Sequence, residues 1–330
     1  MTETSQNSLY NGFEDWAQKI LAGDSRAISR AISTVENRDA QAAELLKRLF
    51  PHTGRAAIIG ITGAPGSGKS TLVSALAALL RTQDRQVGIL AVDPTSPYTG
   101  GAILGDRVRM QAQSTDPGIY IRSMATRGAL GGLSAATLDA ATVLDAAGKD
   151  FILIETVGVG QDEVEIARLA DVTLLLLVPG LGDEVQTFKA GVMEIADIFV
   201  LNKADLAGAD RLETEIQNML SSAPAPPPWL PPIVRTVATE QRGVQDLLQT
   251  VFRFLEFSRQ RGIQKRQQVE YWRQRLVELL EERLLRRLLQ DVLGDGRLEQ
   301  YAASIASREQ DPYSAVDLIL QQAGWHEAKQ

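Results

Sequence analysis

The chain has 330 residues, 44% of them hydrophobic, and a net charge of −7, so it is long enough for one large α/β domain with helical additions or for two domains. It contains no cysteine and only two histidines, His52 and His326, which excludes disulfides, thiolate metal sites and a histidine-rich metal-delivery segment. The net negative charge argues against nucleic acid as a main partner. The N-terminus is polar, and no apolar run approaches the roughly 18 residues that cross a bilayer. We therefore expect a cytoplasmic protein without membrane contact.

The first 52 residues are predicted to form an N-terminal helical extension. Apolar residues such as Trp16, Ile20, Ile28 and Ile32 recur at helical spacing between about residues 11 and 50. From residue 53 the pattern changes to short β-rich runs that alternate with helices. We therefore place a central α/β domain at residues 53–257 and a C-terminal helical region at residues 258–330.

A glycine-rich segment follows the first predicted strand and precedes a helical pattern. The sequence GAPGSGKS fits G-x-x-x-x-G-K-[ST], the phosphate-binding P-loop, and it lies in the strand–turn–helix context that this motif requires. Its backbone N–H groups converge on phosphate, Lys69 neutralises β/γ oxygens, and the Ser70 hydroxyl is a ligand for Mg²⁺. The residues expected to bind the nucleotide here are Gly63, Ala64, Pro65, Gly66, Ser67, Gly68, Lys69, Ser70 and Thr71.

The central domain is predicted to be an α/β P-loop NTPase with a mostly parallel, doubly wound sheet. Strands that alternate with helices form such sheets, and their ligands bind at the carboxyl ends of the strands. The predicted strands are 57–62, 87–93, 119–123, 151–155, 172–179, 198–202 and 233–237. The predicted helices lie near 71–81, 133–148, 163–170, 185–195 and 211–220.

Acidic residues follow two of these strands. Asp93 ends the second strand, and a glycine-rich loop after it contains Asp106; both are candidates for Mg²⁺. Glu155 begins E-T-V-G, where GTPases usually have D-x-x-G, so its longer side chain could reach the metal through water or orient the attacking water. In this motif the N–H of Gly158 would meet the γ-phosphate.

Two further segments indicate guanine. Asn202 and Lys203 begin N-K-x-D after a predicted strand, and the Asp205 carboxylate can accept two hydrogen bonds from guanine N1–H and N2–H₂, which adenine cannot donate. We expect Asn202 to brace the loop and the Lys203 stem to cover the base. The segment with Val237, Ala238 and Thr239 lies where GTPases present a backbone N–H to guanine O6; Val237 departs from the usual serine.

Beyond residue 258 the sequence is helical and highly charged. Apolar residues recur at intervals of three and four residues and form a stripe along the predicted helix. This stripe is wider than one packing face needs. The helix either docks on its own domain or also packs against a second subunit, and we favour the second interpretation. The stripe includes Val269, Trp272, Leu276, Leu280, Leu284, Leu288 and Val292.

With these residues the chain resembles the methylmalonyl-CoA mutase-associated GTPases, the MeaB/ArgK family. The resemblance covers roughly residues 15–310. It rests on GDSRAISRAIS at 23–33, GAPGSGKST at 63–71, AVDPTSPYTGGAILGDRVRM at 91–110, ETVGVGQDE at 155–163, PGLGDEVQTFKAG at 179–191 and NKAD at 202–205.

The resemblance implies a homodimeric GTPase whose C-terminal helices form the dimerisation arm. It implies GTP or GDP with Mg²⁺ as the bound species. The implied partner is an adenosylcobalamin-dependent methylmalonyl-CoA mutase or a close relative, whose cofactor loading the GTPase gates and which it protects from inactivation.

The resemblance also implies roles for individual residues. Ser70, Asp93, Asp106 and Glu155 would surround Mg²⁺ and the γ-phosphate. The segments 93–109 and 156–163 would be switches I and II, and 179–191, with Lys189, a third switch that communicates with the mutase. The residues expected to take part in hydrolysis are Lys69, Asp106, Glu155 and Lys189.

Three alternatives remain open at this point. A nickel-insertion GTPase has a related fold, but the missing cysteines and scarce histidines count against it. A P-loop kinase would need an acceptor-binding motif, and none is apparent in the sequence. A nucleotide-locked scaffold would release almost no phosphate.

Overall fold

The structure is a computed structural model that describes residues 3–39, 41–93, 115–125, 132–156, 162–180, 194–222 and 228–325. Contacts divide the chain into two compact units, Met1–Gln267 and Gln268–Gln330. The predicted helix near 185–195 lies largely outside the described residues. The domain boundaries expected at residues 52 and 257 stay a prediction.

The first unit alternates strands and helices over most of its length. Its strands are β1 (Ala57–Gly63), β2 (Val87–Asp93), β3 (Ile119–Ala125), β4 (Phe151–Glu155), β5 (Val172–Leu177), β6 (Ile198–Asn202) and β7 (Ile233–Thr236). Its helices are α1 (Glu3–Leu21), α2 (Ser25–Glu36), α3 (Ala42–Leu49), α4 (Lys69–Arg81), α5 (Gly132–Ala146), α6 (Asp162–Leu169), α7 (Ala209–Ser221) and α8 (Val244–Gln260).

The seven strands form one sheet in the order β3-β2-β4-β1-β5-β6-β7, and every registered pair is parallel. Parallel strands require crossover connections, which place helices on the faces of the sheet and bury the strands on both sides. This is why β4, β5 and β6 are apolar runs without alternation, and each is buried along its whole length. The predicted P-loop NTPase architecture with a doubly wound parallel sheet is confirmed.

The N-terminal helices pack on the edge of this sheet and on α5. The indole N–H of Trp16 donates to the carbonyl of Ala27, which joins α1 to α2. Arg122 on the edge strand β3 forms an ion pair with Glu36 of α2 at 2.5 Å. This ion pair joins α2 to the edge strand of the sheet.

One close approach inside the sheet requires glycine. An ideal Cβ built on Gly60 of β1 would lie 2.8 Å from Cγ2 of Ile166 and 3.0 Å from Cβ of Ala170. Because these distances are shorter than normal van der Waals contact, only glycine lets α6 pack this closely on β1.

Carboxylates precede three strands at the amino edge of the sheet. Each accepts the backbone N–H near the start of a neighbouring strand, which satisfies donors that the sheet leaves open. The bonds are Gln86 to Asp150 at 2.7 Å, Ile58 to Asp171 at 2.8 Å and Thr173 to Asp197 at 2.8 Å. Burial is the main cause that raises the pKa of Asp197 to about 7, and burial also raises the pKa of Asp171.

The C-terminal part of the chain is helical, as predicted. Helix α9 (Ile263–Arg287) continues into a π-helical turn at Leu288–Leu293, and α10 (Gly294–Ala306) and α11 (Pro312–Gln322) follow. Most apolar side chains of the predicted stripe on α9 are exposed, among them Leu276 and Leu280. Among the helices that the structure describes, none has the length and apolar character of a membrane-spanning segment.

Candidate nucleotide-binding site

The predicted motifs meet at the carboxyl edge of the sheet. The P-loop follows β1, Glu155 ends the adjacent strand β4, and Asn202 ends β6 two strands away on the other side. Carboxyl ends of parallel strands lie at one edge, which is where open α/β sheets bind their ligands. The topology therefore brings together segments that are about 140 residues apart in the sequence.

Two glycines of the P-loop have backbone conformations and neighbours that exclude a side chain. Gly63 has φ +145°, and a Cβ there would collide with the carbonyl oxygen of Leu176. Gly68 has φ +93°, and its Cβ would lie 2.5 Å from Nδ2 of Asn202. Gly68 is also the N-cap of α4 and provides no capping side chain, so this helix terminus is suited to bind an anion.

The ammonium of Lys69 lies inside this loop. Lys69 is only 6% exposed, and its Nζ donates to the carbonyls of Gly63 at 2.7 Å and Ala64 at 3.0 Å. These bonds fix a positive charge where a polyphosphate held by the loop would meet it. The geometry fits the charge-neutralising role expected for Lys69.

A hydroxyl and a carboxylate meet beside the loop. The hydroxyl of Ser70 donates to Oε1 of Glu155 at 2.5 Å, and Glu155 is buried. Hydroxyl and carboxylate oxygens are ligands that Mg²⁺ prefers, so this pair fits a magnesium site. Within the described ranges no group of three histidine, cysteine, aspartate or glutamate residues could hold a metal ion.

The residue after Glu155 is also fixed. The N–H of Thr156 donates to Ile61 O at 3.1 Å, and its hydroxyl donates to that of Thr62 at 3.0 Å. Both bonds tie the end of β4 to β1 just before the P-loop. The sequence analysis did not single out Thr62, because a buried threonine in a strand carries no motif.

Asn202 links the P-loop to the loop after β7. Its amide donates to Ser67 O at 2.8 Å, and its Oδ1 accepts bonds from the Thr236 hydroxyl at 3.0 Å and the Ala238 N–H at 3.3 Å. Asn202 is 2% exposed, so these bonds satisfy groups that water cannot reach. The bracing role predicted for Asn202 thus has identified partners on both sides.

The neighbouring residues of N-K-x-D lie as a base site would need them. Lys203 has φ +52°, and its Nζ donates to Gly66 O at 3.0 Å, so its stem crosses toward the P-loop. Asp205 is exposed, with its carboxylate open to a ligand. Val237 and Ala238 are both buried, and their N–H groups already donate within the protein, to Arg242 O at 3.0 Å and to Asn202 Oδ1 at 3.3 Å, which the sequence does not reveal.

A cavity of about 200 Å³ lies between the start of α4 and the loop after β7. It is smaller than most ligand sites, so it could take only part of a nucleotide. Sequence reasoning missed Ser74 and Gln241, which have no motif of their own. The cavity is lined by Ser70, Thr71, Ser74, Ala75, Ala78, Ala238, Thr239 and Gln241.

Comparison with known proteins identifies the family of the chain. The family described as methylmalonyl Co-A mutase-associated GTPase MeaB matches residues 28–292, which is most of the chain. The chain belongs to the MeaB family. The resemblance inferred from the motifs is confirmed, and as a member of this P-loop GTPase family the chain hydrolyses GTP and has GTP or GDP as its bound nucleotide.

Two relatives of this MeaB-family chain are named as GTPases, and one solved structure shares its fold. A protein of Pyrococcus abyssi named as a GTPase is 47% identical over 315 residues, with 94% of this chain and 96% of that protein covered. GTPase ArgK of Escherichia coli is 34% identical over 275 residues, with 79% and 82% covered. A crystal structure titled LAO/AO transport system kinase covers 98% of this chain and 99% of its own with a TM-score of 0.69 and 23% identity, which shows a shared fold.

Several residues predicted for this MeaB-family site lie outside the described residues. These are Asp106, Gly158 and Lys189, together with most of the three predicted switch segments. Asp93 ends β2 at the same edge of the sheet. Their roles stay predictions.

Proposed function

We propose that this GTPase binds GTP together with Mg²⁺ and uses its nucleotide state to control an adenosylcobalamin-dependent acyl-CoA mutase of the methylmalonyl-CoA type. In this proposal it gates cofactor loading and protects the mutase from inactivation. The family description supports the partner, because it names the family as mutase-associated. The observation that carries the nucleotide site is the contact of Ser70 with Glu155 beside a P-loop that Asn202 joins to the base loop.

In the proposed complex the P-loop backbone holds the phosphates. N–H groups of residues 63–71 and the positive end of α4 face the phosphate oxygens, and Lys69 adds its charge from a position that its loop bonds already define. Preorganised donors stabilise negative charge without reorganisation cost at the moment of reaction. Binding and charge stabilisation are therefore the main tasks of these residues.

Mg²⁺ would be held by the hydroxyl of Ser70 and the carboxylate of Glu155, with Asp93 and Asp106 as further candidate ligands. When bound, the metal would neutralise charge on the β- and γ-phosphate oxygens. Glu155 also holds the Ser70 hydroxyl in place. We assign Glu155, Asp106 and Lys189 to the hydrolysis step, in which water attacks the γ-phosphorus in line.

Asp205 would select guanine. Its exposed carboxylate can accept two hydrogen bonds from the base, and adenine would leave that carboxylate without them. The N–H of Thr239, or that of Ala238 in exchange for its bond to Asn202, would meet guanine O6, and the stem of Lys203 would cover the base.

The protein would act as a homodimer through its C-terminal helices. Leu276 is 59% exposed and Leu280 is 57% exposed, and both lie on one stripe of α9. Exposure of this apolar stripe to water is unfavourable in a single chain, whereas contact with a second copy of the chain would bury it.

The proposal is tested by single-turnover hydrolysis of GTP with and without the purified mutase. We expect slow release of phosphate by the GTPase alone, because the sequence motifs identify no arginine finger, and at least about tenfold acceleration by the mutase. The Lys69→Ala variant is the control for hydrolysis by this site. A rate that is equally fast without the mutase would refute the control function, and transfer of γ-phosphate to an acceptor would indicate a kinase.

A further inference from the structure

The turn that joins α8 to α9 is strongly basic in an acidic protein. The segment 253–267 contains Glu256 as its one acidic residue, whereas the whole chain has a net charge of −7. We call residues 259–266 the basic turn. The cations of the segment are Arg253, Arg259, Arg261, Lys265 and Arg266.

Among the described residues, three cations of the basic turn have no carboxylate partner. Arg259 pairs with Glu256 at 2.7 Å, but no carboxylate of the described residues lies within 4.0 Å of Arg261, Lys265 or Arg266. The guanidinium of Arg261 lies over the ring of Phe257, and its carbonyl accepts a bond from Arg266 at 3.4 Å. All three side chains are exposed, so their charge faces solvent.

The basic turn is held in a defined position on the first unit. The side-chain amide of Gln264 donates to Asp171 at 2.8 Å, and the other oxygen of Asp171 accepts the N–H of Ile58 at the start of β1. This anchors the turn at the amino edge of the sheet. The P-loop follows the opposite, carboxyl end of β1, so the basic turn lies on the side of the sheet away from the nucleotide.

We propose that the basic turn is a docking surface for an acidic surface on a protein partner, and that it binds this partner whichever nucleotide is present. The proposal rests on the proposed function in one respect, because it takes the mutase as that partner. Because salt screens charges that are more than a Debye length of about 8 Å apart, a folded partner needs complementary charge only where it contacts the basic turn. The remaining negative charge of the chain opposes extended polyanions such as DNA or an anionic membrane, which favours a local protein contact.

The experiment measures affinity for the purified mutase by biolayer interferometry, with GDP and with a non-hydrolysable GTP analogue, at low and high salt. The variant is R261E/K265E/R266E. The matched control is R26E/R38E/K47E, which makes the same charge change at exposed residues of α2, of the turn after it and of α3. We expect the first variant to lose at least about tenfold in affinity at low salt with either nucleotide, the control to lose little, and the basal GTPase rates of both to stay unchanged.

The other outcomes separate the possible failures. If the unmodified protein binds the mutase and the first variant binds equally well, the basic turn is not the docking surface although the proposed function stands. If the unmodified protein does not bind the mutase, the proposed function fails and this inference fails with it. The proposal would also be overturned if R261E/K265E/R266E lost binding to a DNA duplex or to anionic vesicles but kept binding to the mutase. A change of this variant from dimer to monomer, measured by light scattering, would overturn it as well.

Discussion

At the residue scale, the amide of Asn202 does more than its motif predicts. It donates to the P-loop at Ser67 and accepts from Thr236 and Ala238, so one buried side chain joins the two loops that would hold phosphate and base. The sequence predicted that Asn202 braces a loop. The sequence does not predict the contact of Asn202 with Thr236, because this contact exists only where β6 and β7 lie side by side.

Asp205 provides the first prediction. In the Asp205→Asn variant the side chain offers one acceptor and one donor in place of two acceptors, so it no longer matches guanine but does match xanthine, whose C2 carries an oxygen. We expect GTP affinity to fall about 100-fold and affinity for xanthosine triphosphate to rise. Competition against a fluorescent GTP analogue measures both, with Asp210→Asn as the control at a nearby exposed carboxylate.

An unchanged preference for GTP in the Asp205→Asn variant would contradict this assignment of the base site. A loss of both nucleotides together would indicate damage to the loop. The Asp210→Asn control should keep both affinities.

Asp197 makes stability depend on pH. Burial raises its pKa to about 7 from an ordinary 3.8, because the charged form is costly at this half-buried position. The folded protein therefore keeps a proton that the unfolded chain releases. The contribution of the protonated Asp197 to the free energy of unfolding is fully present below about pH 4 and is lost as pH rises through about 7.

The Asp197→Asn variant should remove this dependence. Asparagine can still accept the N–H of Thr173 and carries no charge to bury. We expect the variant to be more stable than the unmodified protein by about 2 kcal/mol at pH 8, and this difference to shrink toward pH 4. Urea midpoints at several pH values measure it, with Asp317→Asn as an exposed control; a difference that is constant with pH would contradict the burial argument.

At the element scale, the position of α6 depends on the missing side chain of Gly60. Helix α6 begins within the last residues of the segment predicted to be switch II, and it packs on β1 through Ile166 and the following residue Ala170. The sequence predicted both the strand and the helix to within a residue or two. It did not predict that a glycine inside the strand is a packing residue, because that follows from the distance between the two elements.

Gly60→Ala should destabilise the protein by about 1–3 kcal/mol, since the added Cβ must push α6 away from the sheet. The Ile166→Ala variant removes the methyl group that the new Cβ would meet. We therefore expect the double variant to be less unstable than the sum of the two single effects, as measured by urea unfolding. Strict additivity would show that α6 adjusts without cost.

At the scale of the whole molecule, the chain combines an α/β unit with a helical C-terminal unit whose apolar residues are largely exposed. The first unit buries its apolar residues in clusters on the sheet faces. The contrast is the physical reason to expect a second copy of the chain at α9, since exposed leucines at helical spacing are costly in water.

Substitution of two of these leucines tests the dimer. We expect L276E/L280E to be monomeric, because charges in the contact would have to be desolvated, while keeping its GTP affinity. Multi-angle light scattering measures the mass. The control Q267E/Q274E introduces the same charge on the other side of α9, and a dimer that persists in L276E/L280E would exclude this face as the interface.

The sequence alone predicts the architecture and a chemical role for each motif residue. Local periodicity defines strands and helices, and a P-loop or N-K-x-D motif carries its chemistry in consecutive residues. The contact of Ser70 with Glu155, the groups that Asn202 joins, the close packing at Gly60 and the burial of Asp197 are seen only in the folded chain. These properties depend on distances and burial between distant segments, and no local pattern encodes them.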